Sequence, residues 1–374
     1  MGASINNKTY KVVVSVIMPC YSTAKYLPEA IESILKQTFK EIELIIIDDA
    51  SKDSSLKIIQ KYQDLDHRIK VIKNDYNKGI SACMNIGLKH AIGKYITRMD
   101  SDDISLPQRI EKQVALLNSH KEFGLCSVDM SSIDKNGILL DKSWYPKTET
   151  PLSWMFLWAN PIANAPTMYR ADIIKNLSFN NKLAIAEDYD LLCRIILNTK
   201  ACQINEALYI YRIHSKSIIQ KRMEESLLNA IKISRKLAEE LTSETPPKLH
   251  GYLTKYARLL AQNDTTYSVF EITNWMDKLL LNGKKKWKWT DPEYQLARID
   301  ANNRIKEYIL SQKLCQYKFK CINDLTNELE SEKNSNVALT REIKNLNDSI
   351  ENSRALRLSK RIKNILKHSG IIKL

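Results

Sequence analysis

The sequence predicts an α/β fold with a mostly parallel sheet between helices, followed by a helical C-terminal region. Short β-branched runs alternate with helical patterns up to about residue 100, at the spacing of parallel strands joined by helices. Long helical patterns replace this alternation after about residue 220, and 374 residues favour more than one domain. We therefore expect a sheet domain over residues 11–222, a helical domain over residues 223–320 and a terminal segment over residues 321–374.

Four short apolar runs are predicted to form the parallel strands. They occupy residues 12–18, 41–47, 68–72 and 95–99, and the predicted helices occupy residues 27–37, 54–62, 80–91, 225–241 and 247–262. The first run stops at Pro19, the second at Asp48 and Asp49, and the fourth at Asp100. Because ligands of open parallel sheets bind beyond the carboxyl ends of the strands, these residues mark the predicted binding edge.

The composition excludes a membrane-spanning protein, a disulfide scaffold and a thiolate zinc site. No apolar run approaches the roughly 18 residues of a transmembrane helix, and the N-terminal residues lack a signal-peptide core. The 7 Cys are scattered without a C-x-x-C pair. We therefore predict a cytoplasmic protein with free thiols.

The basic charge is concentrated at the C-terminal end of a chain whose formal net charge is +14. Residues 354–374 carry seven basic residues and no acidic one, with apolar residues at helical spacing. This basic amphipathic tail is predicted to hold the protein peripherally on the anionic inner face of the cell membrane, and a solvated tail is the alternative. An interrupted heptad pattern over residues 322–350 predicts a coiled-coil-like segment and a homo-oligomer. Nucleic-acid binding is disfavoured, since no recognised module accompanies the charge.

Acidic residues gather at two of the predicted strand ends. Asp48 and Asp49 end one strand, and Asp100, Asp102 and Asp103 follow another. Carboxylates on one rim repel one another unless a cation lies between them, and their oxygens suit Mn²⁺ or Mg²⁺. Such an ion would in turn bind a diphosphate. Because the chain has neither a Walker loop nor a dinucleotide-binding glycine motif, we expect the metal, and not a glycine-rich loop, to hold the diphosphate. The alternative is that each aspartate caps the following helix.

A series of motifs in residues 11–220 carries a resemblance to a known family. The motifs are VSVIMPCYS at 14–22, DDAS at 48–51, NKGISA at 77–82, NIG at 85–87, GKYI at 93–96, DSDD at 100–103, EDYD at 187–190 and YRIHSKS at 211–217. Together they resemble family 2 glycosyltransferases of the GT-A fold, including bacterial enzymes of lipooligosaccharide, capsule and O-antigen synthesis. The resemblance implies a GT-A domain that transfers a sugar from a nucleotide diphosphate donor.

The resemblance implies roles for the residues at the donor pocket. Pro19 and Tyr21 would line the pocket for the base and the ribose. Asp49 would accept a hydrogen bond from the imide nitrogen of uracil, which favours a UDP-sugar donor. Asp100, with Ser101 beside it, would contact the ribose or the sugar.

The resemblance also implies a metal site and a catalytic base. Asp102 would ligate Mn²⁺ or Mg²⁺ between the phosphates, with His214 as a further ligand and Arg212 near the diphosphate. Asp188 would take the proton of the acceptor hydroxyl as it attacks, which inverts the anomeric configuration. The transferred group would be a hexose or an N-acetylhexosamine, and the acceptor a glycan or lipid-linked glycan of a bacterial surface polysaccharide.

Two positions depart from the family pattern, and the acceptor side is less defined. Ser22 stands where the family usually has Asn, and Met84 where an Arg often precedes the Asn of the third helix. Residues 160–164 (NPIAN) resemble an acceptor segment of the bacterial enzymes. Nearby tryptophans are candidates to stack on acceptor sugars, with burial in the core as the alternative; they are Trp144, Trp154 and Trp158.

Two other functions stay open on the sequence. A sugar nucleotidyltransferase would share the sheet but needs a Gly-rich N-terminal loop that this chain lacks. A non-catalytic, membrane-associated scaffold would use the coiled coil and the basic tail. A scaffold, however, has no need to keep the carboxylates of Asp49, Asp100, Asp102 and Asp188 together.

Overall fold

The computed structural model of the protein describes residues 11–141, 143, 149–214, 223–254 and 267–309. These residues divide into two compact units. The first takes the described residues up to Phe156 and from Asn160 to Ile233, and the second takes Leu157–Ala159 and the described residues from Ser234 onwards. The division falls inside a helix, later than the boundary at residue 222 that the change of sequence pattern predicts.

The first half of the first unit is a four-stranded parallel sheet with a helix after each of its first three strands. Its elements are β1 (Val14–Cys20), α1 (Leu27–Leu35), β2 (Ile42–Asp48), α2 (Ser55–Leu65), β3 (Ile69–Lys73), α3 (Ile80–His90) and β4 (Tyr95–Arg98). The strands lie in the order β3-β2-β1-β4, and every pair between neighbours is parallel. The carboxyl ends of β1, β2 and β4 therefore meet at one edge, as the sequence predicts.

Burial on both faces explains why the sequence marks these strands so clearly. All seven residues of β2 are buried, and α1 packs its apolar stripe against the same core through Leu27, Ile31 and Ile34. Each fully buried side chain of this size contributes about 1.5–3 kcal/mol of hydrophobic stabilisation. The continuous apolar runs of the sequence are the consequence of this two-sided burial.

Pro19 lies inside β1 and does not end it, so the predicted strand boundary is wrong. Pro19 is in register with Ile47 of β2. On the other side of β1, β4 ends at Arg98, opposite Ile17, and the N–H of Met99 donates to the carbonyl of Ile17. Pro19 lies beyond that last pairing on the β4 side, so its missing N–H costs the sheet no hydrogen bond.

The second half of the sheet is mixed. Its elements are β5 (Ile104–Ser105), α4 (Arg109–Ser119), β6 (Phe123–Ile133), β7 (Leu139–Asp141), α5 (Leu152–Met155), β8 (Met168–Arg170), α6 (Ala171–Ile174), α7 (Glu187–Ile196) and β9 (Lys200–Arg212). The order continues from β4 through β8, β6 and β9 to β5, and β7 pairs with β6. β8 is antiparallel to both β4 and β6, whereas β9 runs parallel to β6. Antiparallel β5 joins the end of β9 to the loop after β4.

The second unit is helical, as the sequence predicts for this region. Its helices are α8 (Met223–Thr242), which begins in the first unit, α9 (Lys248–Leu253), α10 (Val269–Trp287) and α11 (residues 291–309). The buried imidazole of His250 accepts a hydrogen bond from Trp275 Nε1 at 3.1 Å, and its other nitrogen lies 2.8 Å from Ser234 Oγ. Among the described residues, none of the helices is long and apolar enough to cross a membrane. The heptad segment and the basic tail lie outside the described residues.

Candidate active site

Hydrogen bonds join the loops that follow β1, β2 and β4 into one edge. The hydroxyl of Ser22 accepts from the N–H of Lys52 at 3.1 Å, and the N–H of Ser22 donates to Ser51 Oγ at 3.0 Å. Thr23 Oγ1 donates to Ser101 Oγ at 2.9 Å. The predicted pocket residues of the three strand ends are therefore held at fixed positions relative to one another.

Two residues at this edge and one at the start of α7 hold left-handed backbone conformations, which residues with a side chain disfavour. Ser22 has φ 54°, Ala50 has φ 59°, and Ala186, which directly precedes α7, has φ 67°. A left-handed conformation costs a residue with a side chain about 1–2 kcal/mol. Such strain concentrates at functional sites, where the surrounding structure fixes a geometry that the chain alone would not adopt.

Asp49 is buried and holds the turn that begins α3. Its Oδ1 accepts from Asn74 Nδ2 and from the N–H of Lys78, both at 2.8 Å, and its Oδ2 accepts from the N–H of Gly79 at 2.9 Å. Gly79 has φ 82°, a conformation that favours glycine. The predicted contact with uracil stays a prediction.

Pro19 and Tyr21 lie at the carboxyl end of β1 and just beyond it. Pro19 is partly buried, whereas Tyr21 keeps 44% of its surface exposed. An exposed aromatic ring beside Asp49's loop is suited to stack on a planar base. Their predicted role at the base and ribose is consistent with this placement and is not tested by it.

Asp102 and His214 come together although they lie far apart in the sequence. Asp102 Oδ2 is 2.8 Å from His214 Nε2. Tyr26 stacks on the His214 ring, with the two ring centroids 5.5 Å apart. The Arg212 guanidinium carbon lies 4.6 Å from the centroid of the same Tyr26 ring. Tyr26 therefore orients both Arg212, the last residue of β9, and His214, which follows that strand.

The guanidinium of Arg212 is buried and already engaged. Its Nη2 forms a 2.6 Å ion pair with Glu29, and its Nε donates to the backbone oxygen of Asp102 at 3.0 Å. These bonds fix the loop that carries Asp102 against β9. The predicted contact between Arg212 and a diphosphate stays a prediction. In the structure Arg212 also has a structural role, since it holds the loop that carries Asp102.

Asp103 and Tyr209 form a buried brace next to Asp102. Tyr209 donates to Asp103 Oδ2 at 2.8 Å and accepts from the N–H of Asp100 at 3.2 Å, while Asp103 Oδ1 accepts from the N–H of Arg212. Burial, together with the charges of Asp102 and Asp100, raises the pKa of Asp103 well above its usual range. The brace fixes the shape of the DSDD loop relative to β9.

Tyr209→Phe is expected to loosen this brace. The substitution leaves a buried carboxylate oxygen of Asp103 without its donor, which costs about 1–3 kcal/mol of unfolding free energy, and we expect weaker nucleotide binding as well. Urea denaturation and calorimetric titration with UDP and Mn²⁺ measure the two effects. Tyr95→Phe is the matched control, because its hydroxyl donates to Asn118 at 2.8 Å in another part of the same unit. Equal nucleotide affinity in the two variants would contradict the bracing role.

Asp188 lies in the first turn of α7, where the helix dipole favours a negative charge. Its Oδ1 accepts from the N–H of Tyr189 at 2.7 Å, and Asn160 Nδ2 lies 3.4 Å from its Oδ2. Burial raises the pKa of Asp188, and Arg98 opposes that increase. Burial and the charge of Asp188 raise the pKa of its neighbour Glu187 to about 7. Paired carboxyls with raised pKa values are suited to proton transfer near neutral pH.

Asp100, the remaining carboxylate predicted for the donor pocket, pairs with Arg98, which was not among the predicted site residues. Arg98 Nε lies 2.6 Å from Asp100 Oδ1, and Arg98 Nη1 lies 3.7 Å from Glu187 Oε1. Ser101, next to Asp100, is buried and accepts the hydrogen bond from Thr23. A signal for Arg98 exists in the sequence, since it is the charged last residue of a buried strand whose other residues are uncharged.

The donor set at Asp102 and His214 fits a divalent ion. One carboxylate oxygen and one imidazole nitrogen suit Mn²⁺, and a small number of protein ligands is typical where substrate phosphates complete the coordination. Within the described residues, no group of three or more His, Cys, Asp or Glu side chains is placed to hold a metal. The Asp48 and Asp100 carboxylates therefore do not join a shared protein-only metal centre.

Of the two roles considered for the tryptophans, burial in the core is confirmed for two of the three side chains. Trp154 and Trp158 are fully buried and belong to the core. Trp144 lies outside the described residues. Residues 160–164 do contribute to the site, since Asn160 contacts Asp188.

Comparison with known proteins identifies the family. The family model for glycosyl transferase family 2 matches residues 15–177. A glycosyltransferase of Methanocaldococcus jannaschii, MJ1057, is 35% identical over 222 residues, which are 58% of this chain and 77% of that protein. The chain belongs to glycosyl transferase family 2. The family match covers the elements from β1 to α6, including the DSDD loop, and ends before α7 and β9.

Two further relatives extend the comparison for this glycosyltransferase. The O-antigen biosynthesis glycosyltransferase WbnJ of Escherichia coli is 31% identical over 214 residues, 55% of this chain and 81% of that protein. The structure is similar to that of S. aureus TarS 1–349 in complex with UDP-GlcNAc, with a TM-score of 0.54, 20% identity, and coverage of 81% of this chain and 92% of that one. The structural likeness confirms the GT-A fold.

Proposed function

We propose that this family 2 glycosyltransferase is a metal-dependent, inverting enzyme. It transfers a hexose or an N-acetylhexosamine from a UDP-sugar to a glycan or lipid-linked glycan in bacterial surface polysaccharide synthesis. The observation that carries the proposal is the meeting of three carboxylates at one edge of the sheet. Asp102 lies 2.8 Å from His214, and Asp100 on the same loop is joined through Arg98 to the helix start that carries Asp188.

Asp102 and His214 would hold the divalent ion. Carboxylate oxygen suits both Mn²⁺ and Mg²⁺, whereas an imidazole nitrogen favours a transition metal, so we expect Mn²⁺ to bind more tightly. When bound, the ion neutralises the charge that develops on the leaving diphosphate. Tyr26 and Glu29 keep the metal-binding segment in place through the stacking and the ion pair described above.

Asp188 would act as the catalytic base. The acceptor hydroxyl oxygen forms the new bond to the anomeric carbon, and the bond from that carbon to the phosphate oxygen breaks. The bonding electron pair leaves with the nucleoside diphosphate, and the hydroxyl proton passes to an Asp188 carboxylate oxygen. Because attack and departure occur on opposite faces in a single displacement, an α-linked donor gives a β-linked product.

The proposed donor and acceptor rest on the loop contacts and on the relatives' names. The Asp49 carboxylate would accept from a uracil N–H, and Tyr21 offers an exposed ring on the neighbouring loop. TarS is described as binding UDP-GlcNAc and WbnJ as an O-antigen enzyme. The brace and the metal-binding pair are features that a non-catalytic scaffold would not require. Peripheral attachment to the cytoplasmic face of the membrane and self-association belong to the proposal through segments outside the described residues.

A donor panel tests the proposal. Purified protein with Mn²⁺, a lipid-linked or soluble glycan acceptor and a set of UDP-, GDP-, dTDP- and CDP-sugars is assayed for release of the nucleoside diphosphate. We expect release from a UDP-sugar, loss of release after chelation with EDTA and recovery on adding Mn²⁺. Product analysis by NMR should show inversion of the anomeric centre. Turnover of the UDP-sugar in the presence of EDTA, or retention of configuration, would overturn the proposed mechanism.

A further inference from the structure

Arg98 is a buried cation placed between the donor side and the base side of the site. It ends β4, and only 8% of its surface is exposed. Its Nε contacts Asp100 Oδ1 at 2.6 Å, and its Nη1 lies 3.7 Å from Glu187 Oε1. One guanidinium therefore connects the loop after β4 with the first turn of α7, although these segments are far apart in the sequence.

The groups around Arg98 are mostly acidic. Asp100 faces it from the loop after β4, Glu187 and Asp188 from α7, and the phenol of Tyr169 from β8. Arg98 is the positive charge among them, and it opposes the increase in the pKa of both Glu187 and Asp188 that burial causes. Buried carboxylates that lose such a partner retain their protons to higher pH.

We propose that Arg98 is a positioning residue that keeps Asp188 ionised and fixes the start of α7 relative to Asp100. The inference rests on the proposed role of Asp188 as the base. Arg98 acts through Glu187 as well: the guanidinium lies 3.7 Å from the Glu187 carboxylate and offsets the negative charge that this carboxylate places beside Asp188 when it is ionised. The geometry of the ion pairs also keeps the base at a fixed distance from the donor-binding loop.

Two substitutions are expected to move the pH dependence in opposite directions. Arg98→Gln removes the positive charge, so the acidic limb of the kcat profile should shift upwards by about one pH unit, as the loss of a close opposite charge predicts. Glu187→Gln removes the negative charge beside Asp188, so the same limb should shift downwards. Arg98→Lys retains the charge and should restore the parent profile to a large extent.

The experiment is a kcat profile from pH 5 to pH 9.5 at saturating UDP-sugar and Mn²⁺ for the parent and the three variants. On the acidic limb we expect kcat of Arg98→Gln to be lower by up to tenfold, the most that a shift of one pH unit can give, with recovery towards the parent value at pH 9. Arg68→Gln is the matched control, because Arg68 forms a 2.7 Å ion pair with Asp66 away from the site. Thermal melting of each variant separates a change in folding from a change in the profile.

A uniform loss of activity at every pH, or shifts of the same sign in Arg98→Gln and Glu187→Gln, would overturn the inference. If Arg98→Gln fails to fold, Glu187→Gln alone still tests it, since an unshifted limb in that variant contradicts the coupling. Asp188→Asn distinguishes the two levels of the argument. An active Asp188→Asn enzyme removes the proposed base, whereas an inactive one with an unshifted Arg98→Gln profile removes only the role of Arg98.

Discussion

Asp188→Asn is expected to lower kcat by a factor of about 10² to 10⁴, the usual contribution of a general base. The amide cannot take the proton of the acceptor hydroxyl, but it retains the shape of the side chain and the hydrogen bond from the N–H of Tyr189. Binding of UDP and Mn²⁺ should change little, since Asp102 and His214 are not altered. Steady-state transfer and calorimetric titration measure the two quantities separately.

Asp190→Asn is the matched control for this prediction. Asp190 lies in the same first turn of α7, and its carboxylate pairs with Arg194 at 2.8 Å instead of facing the site. We expect Asp190→Asn to lose stability and to keep kcat within a small factor of the parent. Parental transfer by Asp188→Asn, or a matching loss in Asp190→Asn at equal folding, would remove Asp188 from the mechanism.

The parallel half of the fold was predictable because strands that are buried on both faces have continuous apolar sequences. β2 is buried at every position, and its run of isoleucines predicts a strand even when the strands that pair with it are unknown. The two aspartates at its end are equally visible in the sequence, and Asp48 is itself the last, buried residue of the strand. The parallel direction of the strands and the residues at their ends together predict which edge of the sheet carries the site.

The antiparallel half was not predictable in the same way. β8 has three residues and β5 has two, so neither contains enough alternation to distinguish a strand from a loop. Their pairing depends on contacts between distant parts of the chain, such as Ile104 of β5 with Ile210 of β9. Propensity along the sequence carries no information about such partners.

The site follows the same division between local and distant information. Asp100, Asp102 and His214 are predicted from motifs that can be read locally. The contacts that hold them are not, because Tyr26, Arg98 and Tyr209 act across long sequence separations. The tryptophans could not be assigned from the sequence alone: their type suits either sugar stacking or burial, and the structure places Trp154 and Trp158 in the core.

Asp102→Asn is expected to abolish transfer by removing the metal. The amide retains a hydrogen-bonding contact with His214, but it supplies a neutral and much weaker ligand to a divalent ion than a carboxylate does. Without the ion the diphosphate has no counter-charge, so we expect the affinity for UDP in the presence of Mn²⁺ to fall by at least tenfold, which corresponds to about 1.4 kcal/mol. Calorimetric titration with Mn²⁺ and UDP measures this loss directly.

The predictions for Asp102→Asn and Asp188→Asn differ in the step of the reaction that is lost, so measuring donor binding and transfer in both variants tests them together. Asp188→Asn should bind the donor and not transfer it, whereas Asp102→Asn should not bind the donor. Asp134→Asn is the control, because its carboxylate accepts the N–H groups of Asn136 and Ile138 in an exposed turn, a role that an amide can fill. If Asp102→Asn bound UDP and Mn²⁺ as the parent does, the metal site would have to be sought elsewhere, and Asp102 would be left with only the structural hydrogen bond to His214.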